Sequence, residues 1–268
     1  MTSTDIPFLT HEIGSLRKPT AFIKAARNQE LSHEDLAGFQ DFITLIKFED
    51  DPSEIIELLK QSNRDQVTNN EYHKLLSKWR VRLNVKYKES TGMDLIDSGE
   101  WTRREMYQHF VENEAVTGIV LQNHVRSFDH NFYRPGVYQS SINYDDSKEI
   151  HLQEFLWAKE FATKPLKVCV TAFNTIAEWS YTGKGNFEDL MFEMIDEIYI
   201  PETIKLLKAG VNWIQMDEPA LTTHPEHVEP FVDAWNYWYQ KIKPHLSNDT
   251  VLGLHNCFSR RLSILNKL

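Results

Sequence analysis

The strongest constraint on the fold is the regular alternation of strand-like and helix-like stretches in the second half of the chain. A β-rich run, "LKVCVTA" at 166–172, precedes a long helical stretch over 187–210. The strand pattern "VNWIQMD" (211–217) follows, then a helical pattern over 226–243 and the strand pattern "TVLGLH" (250–255). Strands that alternate with helices are typical of parallel sheets, so the sequence predicts an α/β fold.

The first half of the chain is dominated by helical patterns. Helices are predicted over 19–29, 32–51 and 68–91, with a short strand, "MDLID", at 93–97. Ser32 suits the N-cap of the second helix because a hydroxyl can accept a hydrogen bond from the first helical turn. One more helix is expected at 259–268, whereas residues 114–149 show no regular pattern.

A parallel α/β sheet is either doubly wound or closed into a barrel, and the ends of the strands favour the barrel. Candidate strands are followed by polar side chains that can bind ligands or take part in catalysis. In a barrel the C-terminal strand ends meet on one face. No glycine-rich phosphate motif follows a strand, which argues against a dinucleotide site. We therefore predict a (β/α)8 TIM-barrel type with about six strands in this chain. Without linkers or repeats, residues 1–268 are expected to form one domain.

Composition narrows the functional classes. A formal net charge of −10 disfavours nucleic acid and acidic membranes as partners. Two cysteines are too few for a secreted disulfide framework, and the sequence shows neither a signal peptide nor an apolar run of about 20 residues that could span a bilayer. We therefore expect a cytoplasmic protein that acts on small molecules; its oligomeric state is left open.

A possible metal site follows the last predicted strand. His255 and Cys257 are two residues apart, and side chains alternate faces along a strand, so a buried strand over 251–254 would point both the same way. Imidazole and thiolate together favour zinc. Taken alone, the pair favours a half-buried histidine and a structural cysteine packed under a helix over a metal site.

Four short motifs resemble, in the same order, those of the cobalamin-independent methionine synthases and their single-domain methyltransferase relatives. They are "HEIGSLRKP" (11–19), "DSGEWTRREM" (97–106), "WIQMDEPAL" (213–221) and "LHNCFS" (254–259). The resemblance runs through most of the chain and implies a TIM-barrel methyltransferase. The implied reaction is zinc-dependent methyl transfer to the thiol of homocysteine, which makes methionine, from a methyltetrahydrofolate-type donor.

The resemblance also assigns residues to roles. Ser15 and the backbone around Ile13 and Gly14 would hold the amino-acid end of homocysteine, and Glu100 and Asp217 would bind its ammonium. Carboxylates and backbone N–H groups are suited to the two charged ends of an amino acid. His255 and Cys257 would be zinc ligands, and Trp179 in "AEWSY" would stack on the pterin of the donor. Glu218, next to Asp217, is expected to have a structural role.

The sequence departs from the family in two respects. The family takes a Glu and a second Cys as further zinc ligands from strands beyond the His-x-Cys segment, whereas this chain ends at Leu268. C-terminal strands are therefore expected to be missing and the zinc site to be incomplete. The family's Gly-Pro is replaced by Ala172 and Phe173, which predicts extra bulk near the donor. Two alternatives follow: a zinc thiol-alkyltransferase with another donor, such as a methylated corrinoid protein, or a non-catalytic thiol-amino-acid-binding homologue.

Overall fold

The computed structural model describes residues 9–61, 70–97, 100–126, 132–183 and 185–257. The chain groups into two compact units, one of residues 1–102 with 154–166 and one of residues 103–153 with 167–268. A single domain over 1–268 stays a prediction. No helix in the described ranges combines the length and apolar character needed to cross a membrane.

The helices are α1 (Thr20–Ala26), α2 (His33–Leu45), α3 (Ser53–Lys60), α4 (Asn70–Ser90), α5 (Met106–Val111), α6 (Leu152–Phe161), α7 (Phe173–Glu178), α8 (Phe187–Met194), α9 (Ile200–Lys208), α10 (Ala220–Thr223) and α11 (Val228–Ile242). The strands are β1 (Val116–Leu121), β2 (Val125–Arg126), β3 (Phe132–Tyr133), β4 (Gly136–Tyr144), β5 (Val168–Thr171), β6 (Ser180–Tyr181), β7 (Trp213–Asp217) and β8 (Val251–His255).

The predicted start of α2 is confirmed in detail. The Ser32 hydroxyl accepts a hydrogen bond from the Asp35 backbone N–H, and the Asp35 carboxylate accepts one from the Ser32 backbone. This reciprocal capping box satisfies donors that the first helical turn leaves without partners. The helix ends at Leu45, earlier than predicted, and Lys47 has a positive φ of 51° that no helix continues through.

Helix α4 is buried on two faces. Leu76, Trp79 and Leu83 join the apolar cluster formed with α1, α2 and α3. Val81 and Val85, on another face, pack with Trp157 of α6 in a second apolar cluster. Burial on both faces explains why a helix of 21 residues with many charged side chains is held in place by packing.

The predicted strand at 93–97 is reduced to two isolated bridges in the first unit. Leu95 pairs with His11, and Ile96 pairs with Leu166, both in the parallel sense. Leu95 and Ile96 are fully buried. The parallel pairing agrees with the prediction, although neither segment forms a continuous ladder.

The three strands predicted in the second half are confirmed. β5, β7 and β8 form a parallel sheet in the order β5–β7–β8 among the described residues. All four residues of β5 are buried, as expected for a parallel strand covered on both faces. The α/β class is therefore confirmed, a complete barrel is not, and the helix predicted at 259–268 lies outside the described residues.

The long helical stretch predicted over 187–210 is continuous but contains an irregular turn. Between α8 and α9, residues Ile195–Tyr199 form a π-helix. Pro201 lies at the start of α9 and has no N–H to donate, so a regular α-helix through this point would lose a hydrogen bond and clash. The wider turn removes that conflict, and such bulges are a known cause of helix irregularity.

Residues 114–149, which showed no regular pattern, contain an antiparallel pair of strands. β1 pairs with β4 over Val116↔Tyr144 to Leu121↔Gly136, with a bulge next to Gly118. Gly118 has φ of 104°, and a Cβ there would lie 2.0 Å from the Ser141 carbonyl oxygen. Only glycine fits such a close approach of two backbones.

Candidate functional site

The C-terminal ends of the three parallel strands lie in register. Thr171 of β5 pairs with Asp217 of β7, and Asp217 pairs with His255 of β8. The Glu218 backbone N–H donates to the His255 carbonyl at 2.8 Å, which continues the ladder one residue beyond β7. Adjacent parallel strands that end together bring the side chains at their ends to one edge of the sheet, as the sequence predicted for Asp217 and His255.

Asp217 and His255 form a direct contact. Nδ1 of His255 lies 2.9 Å from Oδ1 of Asp217, and Nε2 of Gln215 donates to the same oxygen at 2.7 Å. Lys167 donates to Gln215 Oε1 at 2.8 Å, so the hydrogen-bond network continues from Asp217 through Gln215 to Lys167. A carboxylate accepts, so the contact favours a proton on Nδ1 of His255 and leaves Nε2 as the nitrogen suited to bind a metal.

The segment that carries Cys257 is held by α10. The Thr222 hydroxyl lies 2.6 Å from the Cys257 carbonyl oxygen and 2.6 Å from Oδ1 of Asn256. Cys257 is half-buried and not in a disulfide. β8 is half-buried along its whole length.

Phe173, which the sequence predicts to add bulk near the donor, lies in an aromatic core. Its side chain is fully buried, and its ring packs against Tyr199 at a centroid distance of 5.5 Å and against Phe231 at 5.4 Å. Packing in this aromatic core explains why a phenylalanine occupies the position, because burying a ring of this size is strongly favourable. Extra bulk near the donor at this position stays a prediction.

Trp179 is half-buried at the end of α7. Its ring centroid lies 5.9 Å from that of Tyr107, and its carbonyl accepts a hydrogen bond from the Gly136 backbone at 3.1 Å. The backbone contact fixes the position of Trp179 beside β4. A partly exposed ring held in this way is suited to stack on a flat ligand.

The remaining predicted substrate residues lie in the first unit. Ile13 is 60% exposed, and Gly14 has φ of 80° with open space where a Cβ would be. Ser15 donates to the Leu16 carbonyl at 3.3 Å. Glu100 has a positive φ of 56°, which is uncommon for a residue with a side chain and often found at functional sites.

Two polar clusters were not predicted as clusters from the sequence. In the first unit, fully buried Lys88 forms ion pairs with Glu12 and Asp97, which lie near Ile13 and Glu100 in sequence. In the second unit, Glu178 lies beside two histidines, His224 and His227. The His-x-x-His spacing in "THPEH" was the available signal for the second cluster; no local pattern indicates the first.

Glu218 has the structural role expected for it. It is fully buried, and its carboxylate accepts hydrogen bonds from the Asn174 amide, the Thr175 hydroxyl and backbone, and the Ala220 and Leu221 backbone. These bonds join the start of α7 to α10. Burial raises the pKa of Glu218 to about 7, although the bonds from Thr175 and Asn174 act in the opposite direction.

The raised pKa predicts a pH-dependent stability. Because the folded protein holds the Glu218 proton more tightly than the unfolded chain, this contribution is complete below about pH 4.5 and is lost as the pH rises through about 7. The difference corresponds to about 3 kcal/mol. Urea unfolding at pH 5, 6, 7 and 8 measures this. The free energy of unfolding of the parent should fall as the pH rises, and Glu218→Gln is expected to make that fall smaller. Glu197→Gln, at an exposed position, is the control. A pH dependence that Glu218→Gln leaves unchanged would contradict the raised pKa of Glu218.

Comparison with known proteins gives consistent matches. The family model described as "Cobalamin-independent synthase, Catalytic domain" matches residues 51–268. A methionine synthase of Thermoplasma volcanium is 33% identical over 195 residues, covering 68% of this chain and 52% of the relative. One from Sulfurisphaera tokodaii is 37% identical over 180 residues, covering 66% and 52%. The chain thus spans about half the length of these curated relatives.

Solved structures agree at the level of the fold. A B12-independent methionine synthase from Shewanella, solved in complex with selenomethionine, has a TM-score of 0.58 at 18% identity, covering 75% of this chain and 57% of that one. A Listeria monocytogenes structure described as a candidate vitamin-B12-independent methionine synthase has a TM-score of 0.62 at 14% identity, covering 98% and 69%.

Proposed function

Because the chain belongs to the family of cobalamin-independent synthase catalytic domains, we propose that it takes part in methyl transfer to the thiol of homocysteine. The observation that carries this proposal is the contact between Asp217 and His255 at the ends of adjacent strands, with Cys257 two residues beyond. The relatives named methionine synthase are about twice as long as the part matched here, so the activity is proposed for the protein that contains this sequence.

The barrel is part of the same proposal. We take β5, β7 and β8 as consecutive parallel strands of a (β/α)8 barrel, supported by their order and by the helices that separate them in sequence. In such a barrel the C-terminal strand ends carry the active site. Asp217 and His255 occupy such ends.

We propose Asp217 as a ligand of the substrate ammonium. Both hydrogen bonds that the described residues make to its carboxylate go to Oδ1, so Oδ2 keeps acceptor capacity for a ligand. Glu100 is also proposed as an ammonium ligand, and Ser15 with the backbone of Ile13 and Gly14 for the amino-acid end. These first-unit assignments rest on the sequence motifs.

His255 and Cys257 are the proposed zinc ligands. The donor set suits zinc, since one imidazole nitrogen and one thiolate are typical of its sites. The Asp217 contact to Nδ1 supports the proposal because metal-bound histidines usually donate their other ring N–H to a carboxylate or carbonyl. When bound, zinc would keep the substrate thiol deprotonated and nucleophilic near neutral pH.

The proposed donor is a methyltetrahydrofolate, with Trp179 stacking on its pterin ring. This donor rests on the family resemblance, and a methylated corrinoid protein is the alternative. To test the function, purified protein of full natural length would be loaded with zinc and incubated with homocysteine and methyltetrahydrofolate. Methionine formation supports the proposal, and formation only with methylcobalamin indicates the other donor. Methionine binding without turnover indicates a non-catalytic homologue.

Replacing either proposed ammonium ligand by its amide should weaken amino-acid binding. Loss of one charge-assisted hydrogen bond is expected to cost about 1.5–3 kcal/mol. Calorimetric titration with methionine of Asp217→Asn and Glu100→Gln measures this cost directly. Asp249→Asn, an exposed carboxylate in the second unit, is the matched control. Binding as tight as that of the parent would remove the tested residue from the site.

A further inference from the structure

Glu178, His224 and His227 form a cluster that the proposed reaction does not use. Glu178 is the last residue of α7, His224 follows α10, and His227 ends a short 3-10 turn, Pro225–His227, before α11. Over the described ranges, these residues are the one set of three histidine, cysteine or acidic side chains whose ligand atoms all lie within 4.8 Å of one another. Three separate elements therefore bring metal-ligating groups to one point.

The carboxylate of Glu178 faces both histidines. Oε1 lies 2.5 Å from Nδ1 of His227, and Oε2 lies 3.4 Å from Nε2 of His224. The glutamate is largely buried, with 12% of its side chain exposed. A buried carboxylate is costly unless it is paired with a positive charge, and a metal ion supplies such a charge.

Hydrogen bonding alone does not satisfy this cluster. Nδ1 of His227 is buried, and its approach to Oε1 does not have the alignment of a hydrogen bond; no other described atom provides one. A buried polar atom without a hydrogen bond costs about 1–3 kcal/mol and calls for a specific explanation. Coordination of an ion by this nitrogen would remove the penalty.

The rings are held in place by their surroundings. Phe187 stacks on His227 with ring centroids 4.4 Å apart. The imidazole rings of His224 and His227 are nearly parallel, with an interplanar angle of 14°. Nδ1 of His224 lies 3.2 Å from a carboxylate oxygen of Glu226. A carboxylate on the ring nitrogen opposite the ligating one is the usual support of a metal-bound histidine.

We propose that Glu178, His224 and His227 bind a divalent transition-metal ion of the zinc type. Two imidazoles and one carboxylate are a zinc ligand set, whereas magnesium and calcium prefer oxygen ligands throughout. The His224 side chain is 44% exposed, so the remaining coordination position is open to water. The ion would join the end of α7 to the connection between α10 and α11. This inference does not rest on the proposed methyl transfer.

The test uses cobalt as a spectroscopic probe in a Cys257→Ser background, which removes the thiolate of the other proposed site. We expect about one Co²⁺ per chain, with d–d absorption and no thiolate charge-transfer band. Glu178→Gln in the same background should weaken Co²⁺ binding by at least about 10- to 100-fold, the range known for mutations of outer partners of metal ligands. Zinc should raise the melting temperature of the background protein but not that of the double variant.

Controls separate a metal site from an ion pair. His245→Gln, an exposed histidine of the same unit, should leave Co²⁺ affinity unchanged. If circular dichroism shows that Glu178→Gln is misfolded, His224→Gln replaces it as the test. No Co²⁺ binding in the Cys257→Ser background would overturn the proposal and leave an ion-paired cluster. Binding of equal affinity in a folded Glu178 or His224 variant would overturn it as well.

Discussion

Replacing Cys257 by serine is expected to abolish thiol methylation and zinc binding at the His255 site in the protein of full natural length. A serine hydroxyl stays protonated near neutral pH and is a poor zinc ligand, whereas a thiolate is among the strongest. His255 alone would then remain of the pair, and its orientation by Asp217 cannot compensate for a lost ligand. Metal analysis of the purified variant and an assay of methionine formation measure the two effects together.

Cys169 is the matched control for this experiment. It lies inside β5 between Val168 and Val170, and only 2% of it is exposed. Cys169→Ser places a hydroxyl in a buried apolar strand, so it should lower the free energy of unfolding while zinc content stays at the parent level. Because the Glu178 cluster is proposed as a second metal site, zinc is best counted in a Glu178→Gln background. If Cys257→Ser in the Glu178→Gln background keeps its zinc and still methylates homocysteine, the proposed zinc mechanism is wrong.

Lys88→Ala is expected to destabilise the first unit by about 3–5 kcal/mol, because removing one partner of a buried ion pair leaves an uncompensated buried charge. Lys88 is fully buried and lies 2.5 Å from an Asp97 carboxylate oxygen, with Glu12 as its second partner. Burial acts to lower the pKa of Lys88, but Asp97 and Glu12 outweigh it and raise the pKa. Burial, followed by Asp97, raises the pKa of Glu12 to about 7.

Urea unfolding at pH 8, above the pKa of Glu12, measures the loss. Lys60→Ala is the comparison, since Lys60 pairs with Glu57 at the surface and such exposed pairs contribute about 0–1 kcal/mol. Replacing the whole triad by Lys88→Met, Glu12→Gln and Asp97→Asn should recover much of the stability, because no buried charge is then left without a partner. A loss in Lys88→Ala no larger than that in Lys60→Ala would show that the triad contributes little.

Local sequence patterns were sufficient to predict those helices and strands whose patterns match their environment in the fold. The capping box at Ser32 and Asp35 is a contact between residues three apart, so it can be read without knowledge of the fold. The strands β5, β7 and β8 are apolar runs bounded by turn residues, as parallel strands require. The placement of Asp217 and His255 at one edge of the sheet was also predictable, because both residues end strands that were recognised, whereas their direct contact was not predicted.

What the sequence by itself determined is therefore the α/β class, most element positions and the placement of Asp217 and His255 at the ends of parallel strands. Tertiary structure alone decided the burial of Phe173 against Tyr199, the β1–β4 pairing, the Lys88 triad and the meeting of Glu178 with two histidines. The physical reason is that these contacts join residues far apart in the chain. A side chain's direction and its long-range partners depend on packing, which local propensity and periodicity do not encode.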